Sequence, residues 1–133
     1  MAMSQENVEV VRRALVALDR RDVEGYLAVA SPEIELITPA SPLQGRIVGH
    51  EGIRTFFREL WRYSDASGFH VEEIRAVEER VLAFFVLTAT GRQSAVETSS
   101  RVAGVYEIEP GRIRRAHIYA ERAEALEAVG LRE

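Results

Sequence analysis

At 133 residues, 47% hydrophobic and 29% charged, the chain has the size and composition of one globular domain spanning 1–133, large enough to bury roughly two-thirds of its unfolded surface. A net charge of −4 with both signs mixed along the chain argues against nucleic-acid binding, and no apolar run approaches the ~20 residues of a membrane span. Cysteine is absent, which removes disulfides, thiolate metal sites and a Cys nucleophile; without a basic-then-apolar leader, a cytoplasmic location is expected.

Ser4 can cap a first helix running to about Leu18, with Val8, Val11, Leu15 and Leu18 at helical spacing on one face. Asp22 then caps a short helix, Val23 to Ala30, anchored by Tyr26 and Leu27 and stopped by Pro32. Glu33 to Thr38 alternates Ile34, Leu36 and Thr38 against Glu35 and Ile37, the period of a strand. Pro39, Pro42 and Gly45 predict a loop closed by Gly49. A third helix follows from about His50 to Tyr63, its apolar face made of Ile53, Phe56, Phe57, Leu60 and Trp61. Ser64 to Gly68 reads as a linker, and Phe69 to Val77 as a strand.

The chain is organised around the meander that comes next. Val81 to Thr90, Val96 to Glu109 and Arg112 to Tyr119 read as three antiparallel strands, joined by Gly91-Arg92-Gln93-Ser94 and Glu109-Pro110-Gly111-Arg112. Pro-Gly suits a type II turn, because Pro presets φ and Gly accepts a positive one. The first of these strands is apolar on both faces, so it should be covered on both sides. A last helix, Glu121 to Val129, carries Ala123, Leu126 and Val129 for packing, with Gly130 at its C-cap. The order α-α-β-α-β-β-β-β-α predicts an α+β fold with the helices gathered on one face of the sheet.

Several phrases in this order resemble the nuclear transport factor 2-like superfamily and, within it, the SnoaL-like proteins. They are Val10-Val11-Arg12-Arg13-Ala14-Leu15 leading to Asp22-Val23-Glu24, and Ser31-Pro32-Glu33-Ile34-Glu35. Gly49-His50-Glu51-Gly52-Ile53 before Phe56-Phe57 continues the series, then Gly104-Val105-Tyr106-Glu107-Ile108 with Gly111-Arg112-Ile113, and Tyr119-Ala120-Glu121-Arg122-Ala123-Glu124-Ala125-Leu126. The resemblance implies a cone: a strongly curved antiparallel or mixed sheet wrapped around N-terminal helices, with a pocket at its wide end. The superfamily holds isomerases, cyclases, hydrolases, transport factors and proteins without a known role, so the fold alone assigns no activity.

On that fold the expected pocket lining is Leu36, Thr38, Phe57, Leu60, Trp61, Val81, Ala83, Phe85, Ser100, Val102, Tyr106, Ala116 and Ile118. Apolar stripes of this kind are also what an ordinary core is made of, and hydroxyls among them suit a small-molecule pocket. The carboxylate, Tyr and protonated Asp of the superfamily's steroid isomerases fall by resemblance at Thr38, Ala14 and near Ala103 or Gly104. The Asp-Arg-Asp network of its epoxide hydrolases falls near Val81, Ala83 and Ile118. Neither set survives here, so neither mechanism is expected.

Of three histidines, His50 sits at a helix start, His70 shares a strand with Glu72, and His117 should face away from the pocket with Arg115 and Tyr119. Arg112, Arg114 and Arg115 cluster on the last hairpin, a solvated rim from which Arg114 alone, on the face of Ala116 and Ile118, could reach the pocket mouth. No catalytic residue is assigned, and neither a metal nor a cofactor is expected. The leading reading is a SnoaL-like protein that binds a small apolar or amphipathic molecule in the cone. The alternatives are an isomerase, cyclase or hydrolase with an unrecognised acid/base group, and a protein-interaction module using the sheet face. Ala103, Val105, Ile113, His117 and Tyr119, on the face opposite the pocket, predict an exposed apolar patch and a homodimer built on it.

Overall fold

A computed structural model describes residues 2–39, 45–63, 65–90 and 96–131, with the side chains of 2–4, 63 and 65–67 left aside. The elements are α1 (Ala2–Asp19), α2 (Val23–Ala28), β1 (Ala30–Ile37), β2 (Ile47–Val48), α3 (Gly49–Tyr63), β3 (Asp65–Val77), β4 (Arg80–Thr90), β5 (Glu97–Glu109), β6 (Arg112–Tyr119) and α4 (Arg122–Ala128). They build a curved mixed α+β sheet of order β2-β1-β6-β5-β4-β3. The predicted meander β4-β5-β6 is adjacent and antiparallel, and α1 packs against β3, β4 and β6. The other edge differs: β1 lies parallel to β6, pairing Leu36 with Ala116 and Ile37 with His117.

Local chemistry explains most boundaries. Asp22 accepts a hydrogen bond from the Gly25 N–H at 3.0 Å, the N-cap of α2. At the start of α3, His50 Nε2 lies 3.2 Å from the Ala30 carbonyl, tying the helix to β1. Gly111 takes φ +77°, as the Pro-Gly turn requires. Gly130 and Leu131 donate to the Glu127 and Leu126 carbonyls at 3.0 and 2.8 Å, closing α4 as a Schellman motif. The expected Gly91–Ser94 turn lies outside what is described, whereas α1 already begins at Ala2, so Ser4 sits inside the helix rather than capping it.

Three boundaries differ from expectation. β2 occupies Ile47–Val48 inside the predicted loop, because two residues are too few to show alternation. β3 starts at Asp65, within the expected linker, since its ladder to β4 runs on from Asp65 opposite Thr90. α2 stops at Ala28, and Ala30 already belongs to β1.

The larger difference concerns the faces of the sheet. One core lies inside the curve and joins α1, α2 and α3 to Ile34, Leu36, Val81, Ala83, Phe85, Val102, Tyr106, Ile113 and Ala116. A second lies outside it, where Ala125, Leu126 and Val129 of α4 cover Leu82, Phe84, Ala103 and Val105. The helices are therefore not gathered on one face. Of the patch predicted to receive a second copy, Ala103 and Val105 lie under this chain's own last helix, and Ile113 is turned into the inner core. His117 and Tyr119 remain at the outer surface, with their rings stacked at 4.1 Å and 7°.

Two register shifts decide which charges face where. Between Glu107 and Ile108 the pairing jumps from Arg115 to Ile113, leaving Arg114 as the extra residue of a bulge. Ile113 and Ala116 both stay inside, so Arg114 and Arg115 both go outside. Arg114 is held there by Glu107 and by Glu109 at 3.3 Å, which corrects the expectation that it reaches the pocket mouth. Arg115 bonds Glu35 at 3.1 Å and Glu107 at 3.5 Å. A matching shift between Val71 and Glu73 places Glu72 on the outer face, where Arg122 and Arg101 meet it.

Candidate functional site

The inner face of the sheet closes at one end and opens at the other. Along β4 the inward residues Val81, Ala83 and Phe85 are fully buried, whereas Leu87 and Ala89 are partly exposed. β5 shows the same gradient in register: Tyr106, Gly104 and Val102 are buried opposite those three, while Ser100 and Thr98 are exposed opposite Leu87 and Ala89. The interior thus has a floor at Phe85 and Val102 and a mouth beyond it.

Of the thirteen residues expected to line the pocket, eight lie at or below that floor. Leu36, Phe57, Val81, Ala83, Phe85, Val102, Tyr106 and Ala116 share one core and are between 0% and 6% exposed. Leu60, Trp61 and Ile118 pack against that core from the partly exposed mouth. Thr38 is partly buried at the end of β1, and Ser100 is exposed. Phe56, expected on the apolar face of α3, packs at the edge of this core together with Phe69, Val71 and Leu87, which the expected lining left out. Phe69, Val71 and Leu87 were legible as alternate residues of strands. What hid their position was the register that brings Phe69 opposite Leu87.

Aromatic rings run from the mouth inward. Trp61 stacks on Phe57 at 5.1 Å and 28°, and Phe57 meets Tyr26 edge-on at 5.9 Å. The Arg21 guanidinium lies 5.9 Å from the Trp61 ring centre. Phe69 tilts against Phe85 at 5.9 Å. Deeper in, the Tyr106 ring folds back over Gly104. A Cβ there would come within 2.7 Å of that ring, so only glycine lets the ring lie flat on the strand.

Tyr26 and Tyr106, each 2% exposed, bring the phenols into this interior; no charged side chain among the described residues is buried. Burial pushes both hydroxyls well above the ordinary value of 10.0, and Tyr26 adds to the rise at Tyr106. Burial thus favours the protonated, uncharged phenols. The sign of the pH dependence follows. The unfolded phenols lose protons above about pH 10 while the folded ones keep them, so both contribute stability below that pH and lose it as pH rises further. In an ultraviolet titration Tyr26 and Tyr106 are expected to ionise only together with unfolding.

The histidines sit elsewhere. His70 is exposed on the outer face opposite Val86, and His50 serves the α3 start. Burial, then the Arg115 charge, holds His117 below the ordinary imidazole value, against an opposing pull from Glu124. Two concavities adjoin at Arg46. One, of about 640 Å³, wraps the ends of β1 and β6 and includes Thr38 and Ile118; the other, of about 680 Å³, lies between β2 and α3 and includes Phe56 and Leu60. Among the described residues, no three His, Asp or Glu side chains are placed to hold a metal ion. No helix among them is long and apolar enough to cross a membrane.

A curved sheet of this strand order closed over three N-terminal helices, its concave face apolar and open at one end, defines the nuclear transport factor 2-like class. Within it the chain belongs to the SnoaL-like domain family, whose model matches residues 11–116. Solved structures agree on the fold. A protein of this class and of unknown function from Burkholderia pseudomallei K96243 superposes with a TM-score of 0.76 at 22% identity, over 94% of this chain and 98% of that one. TerC, crystallised with polyporic acid, gives 0.75 at 19% identity, over 93% and 98%. A candidate polyketide cyclase from Xanthomonas campestris pv. campestris gives 0.77 at 16%, over 96% and 99%. No curated protein sequence matches the chain.

Proposed function

We propose that this SnoaL-like chain binds a small apolar or amphipathic molecule at the mouth of its cone, and that binding rather than acid–base chemistry is what the interior supplies. The carrying observation is the graded inner face: a buried floor at Phe85 and Val102, then Phe69, Leu87, Leu60 and Trp61, partly exposed and packed at its edge, with no buried charge among the described residues. Such a surface gains by taking apolar area out of water, and the Ser100 and Thr38 hydroxyls at its edge suit a ligand with one polar end. That TerC was crystallised with polyporic acid supports small-molecule binding in this class. Proton transfer would need a group that titrates near neutrality. The two interior phenols do not, and all three histidines lie outside the floor.

Trp61 is the sole tryptophan, so its emission reports on the mouth directly. Titration with 2-naphthol and with dodecanoate is expected to give a saturable change for at least one of them. Leu87→Asp should weaken that binding by about tenfold or more, since a leucine contact is worth about 1.5–3 kcal/mol and tenfold is about 1.4. A linear, non-saturating response to both probes, or unchanged affinity in Leu87→Asp, would overturn the reading.

A further inference from the structure

We propose that the concavity at the C-terminal ends of β1 and β6, which adjoins the cone's rim at Thr38 and Ile118 and extends over the outer face of β6, is a second small-molecule site, selective for aromatic organic cations. Its volume of about 640 Å³ lies within the usual range of small-ligand sites, about 300–1,000 Å³. One wall is the His117–Tyr119 stack, two successive outward residues of β6 whose rings lie parallel at 4.1 Å. Ile37 of β1 and Ile118 of β6 supply apolar surface. Glu124, in the first turn of α4, lines the same concavity, and its charge raises the pKa of both His117 and Tyr119.

The charges around the concavity are unequally committed. Arg46, on its rim, is engaged by Glu35 at 3.1 Å. Arg115 is held between Glu35 and Glu107, and Arg80, which also acts on Tyr119, donates to the Ala128 carbonyl at 2.8 Å. The Glu124 carboxylate, by contrast, has no ion pair or side-chain hydrogen bond among the described residues, and it is exposed. Burial and the Arg115 charge lower the His117 pKa, and burial raises that of Tyr119, so both shifts favour the uncharged rings. An aromatic face beside an uncommitted carboxylate is the pair of features that recognises a protonated aromatic amine or a quaternary ammonium ion. An anionic ligand would meet Glu124, and a neutral one would leave its attraction unused. A bare metal ion would find a single carboxylate, too few donors to hold it.

The test is an amide chemical-shift titration of the full chain with benzyltrimethylammonium chloride, benzyl alcohol and benzoate in parallel. The cation should shift Ile37, Ile118, Tyr119 and Glu124 as one saturable set and bind about threefold or more tighter than benzyl alcohol, with benzoate weakest. Glu124→Gln should remove that preference, a loss of about three- to fivefold, and added salt should do the same. Glu127→Gln, exposed on the same helix, should change nothing. Equal affinity for the cation and the alcohol, unchanged affinity in Glu124→Gln, or shifts centred on Trp61 and Leu87 would overturn the proposal. The last outcome would place the cation in the cone.

Discussion

Leu82→Ala is expected to lower the unfolding free energy by about 2–5 kcal/mol, with a urea midpoint that does not depend on protein concentration. Leu82 is fully buried on the outer face of β4, beneath Ala125, Leu126 and Val129 of the chain's own last helix and beside Val105 on β5. Truncating it leaves a cavity that the sheet backbone cannot collapse into, so the loss should sit toward the upper part of that range. Concentration is the discriminating variable. Were this face covered by a second copy, dilution would lower the midpoint, because assembly contributes stability by mass action. A loss below about 1 kcal/mol would show that α4 does not cover the sheet as described.

Phe85→Ala should cost about 3–5 kcal/mol and, unlike Leu82→Ala, should also change binding. Phe85 is the largest fully buried side chain, 1% exposed, and it forms the floor between Val71 of β3 and Val102 of β5. Removing its ring opens an apolar void under the mouth, where Phe69 now rests at 5.9 Å. An apolar void of this kind stays dry and accepts a benzene-sized ligand. Benzene should therefore raise the thermal midpoint of Phe85→Ala and leave that of the parent chain unchanged. Failure of benzene to stabilise the variant would mean that the floor collapses on truncation and that Phe85 does not separate core from mouth.

The same two positions show where sequence reasoning reached and where it stopped. β4 reads as apolar on both faces, and burial on both faces is what the structure has, because alternation along a strand is a property of the chain alone. What covers each face is a property of the chain's path. The last helix shows apolar spacing in its own sequence, yet nothing local says that it crosses to the outer face. Ala125 rather than Ala123 becomes its third contact once it does.

Strand identity in the meander, the caps at Asp22 and Gly130, the Pro110-Gly111 turn and the outward direction of His117 follow from residues within a few positions of one another. They were determined by the sequence alone. Arg114 depends instead on a bulge whose partner strand must already be in place, and that single extra residue moved it from the pocket side to the Glu107 and Glu109 carboxylates. The parallel pairing of β1 with β6 and the seating of β2 join segments far apart in the chain, where pairing energy rather than local propensity chooses the partner. The candidate site divides in the same way. Its apolar and aromatic composition was legible residue by residue. Its depth was not, because only the registers of β3, β4 and β5, stacked against α3, decide that Phe85 closes the interior and Leu87 opens it.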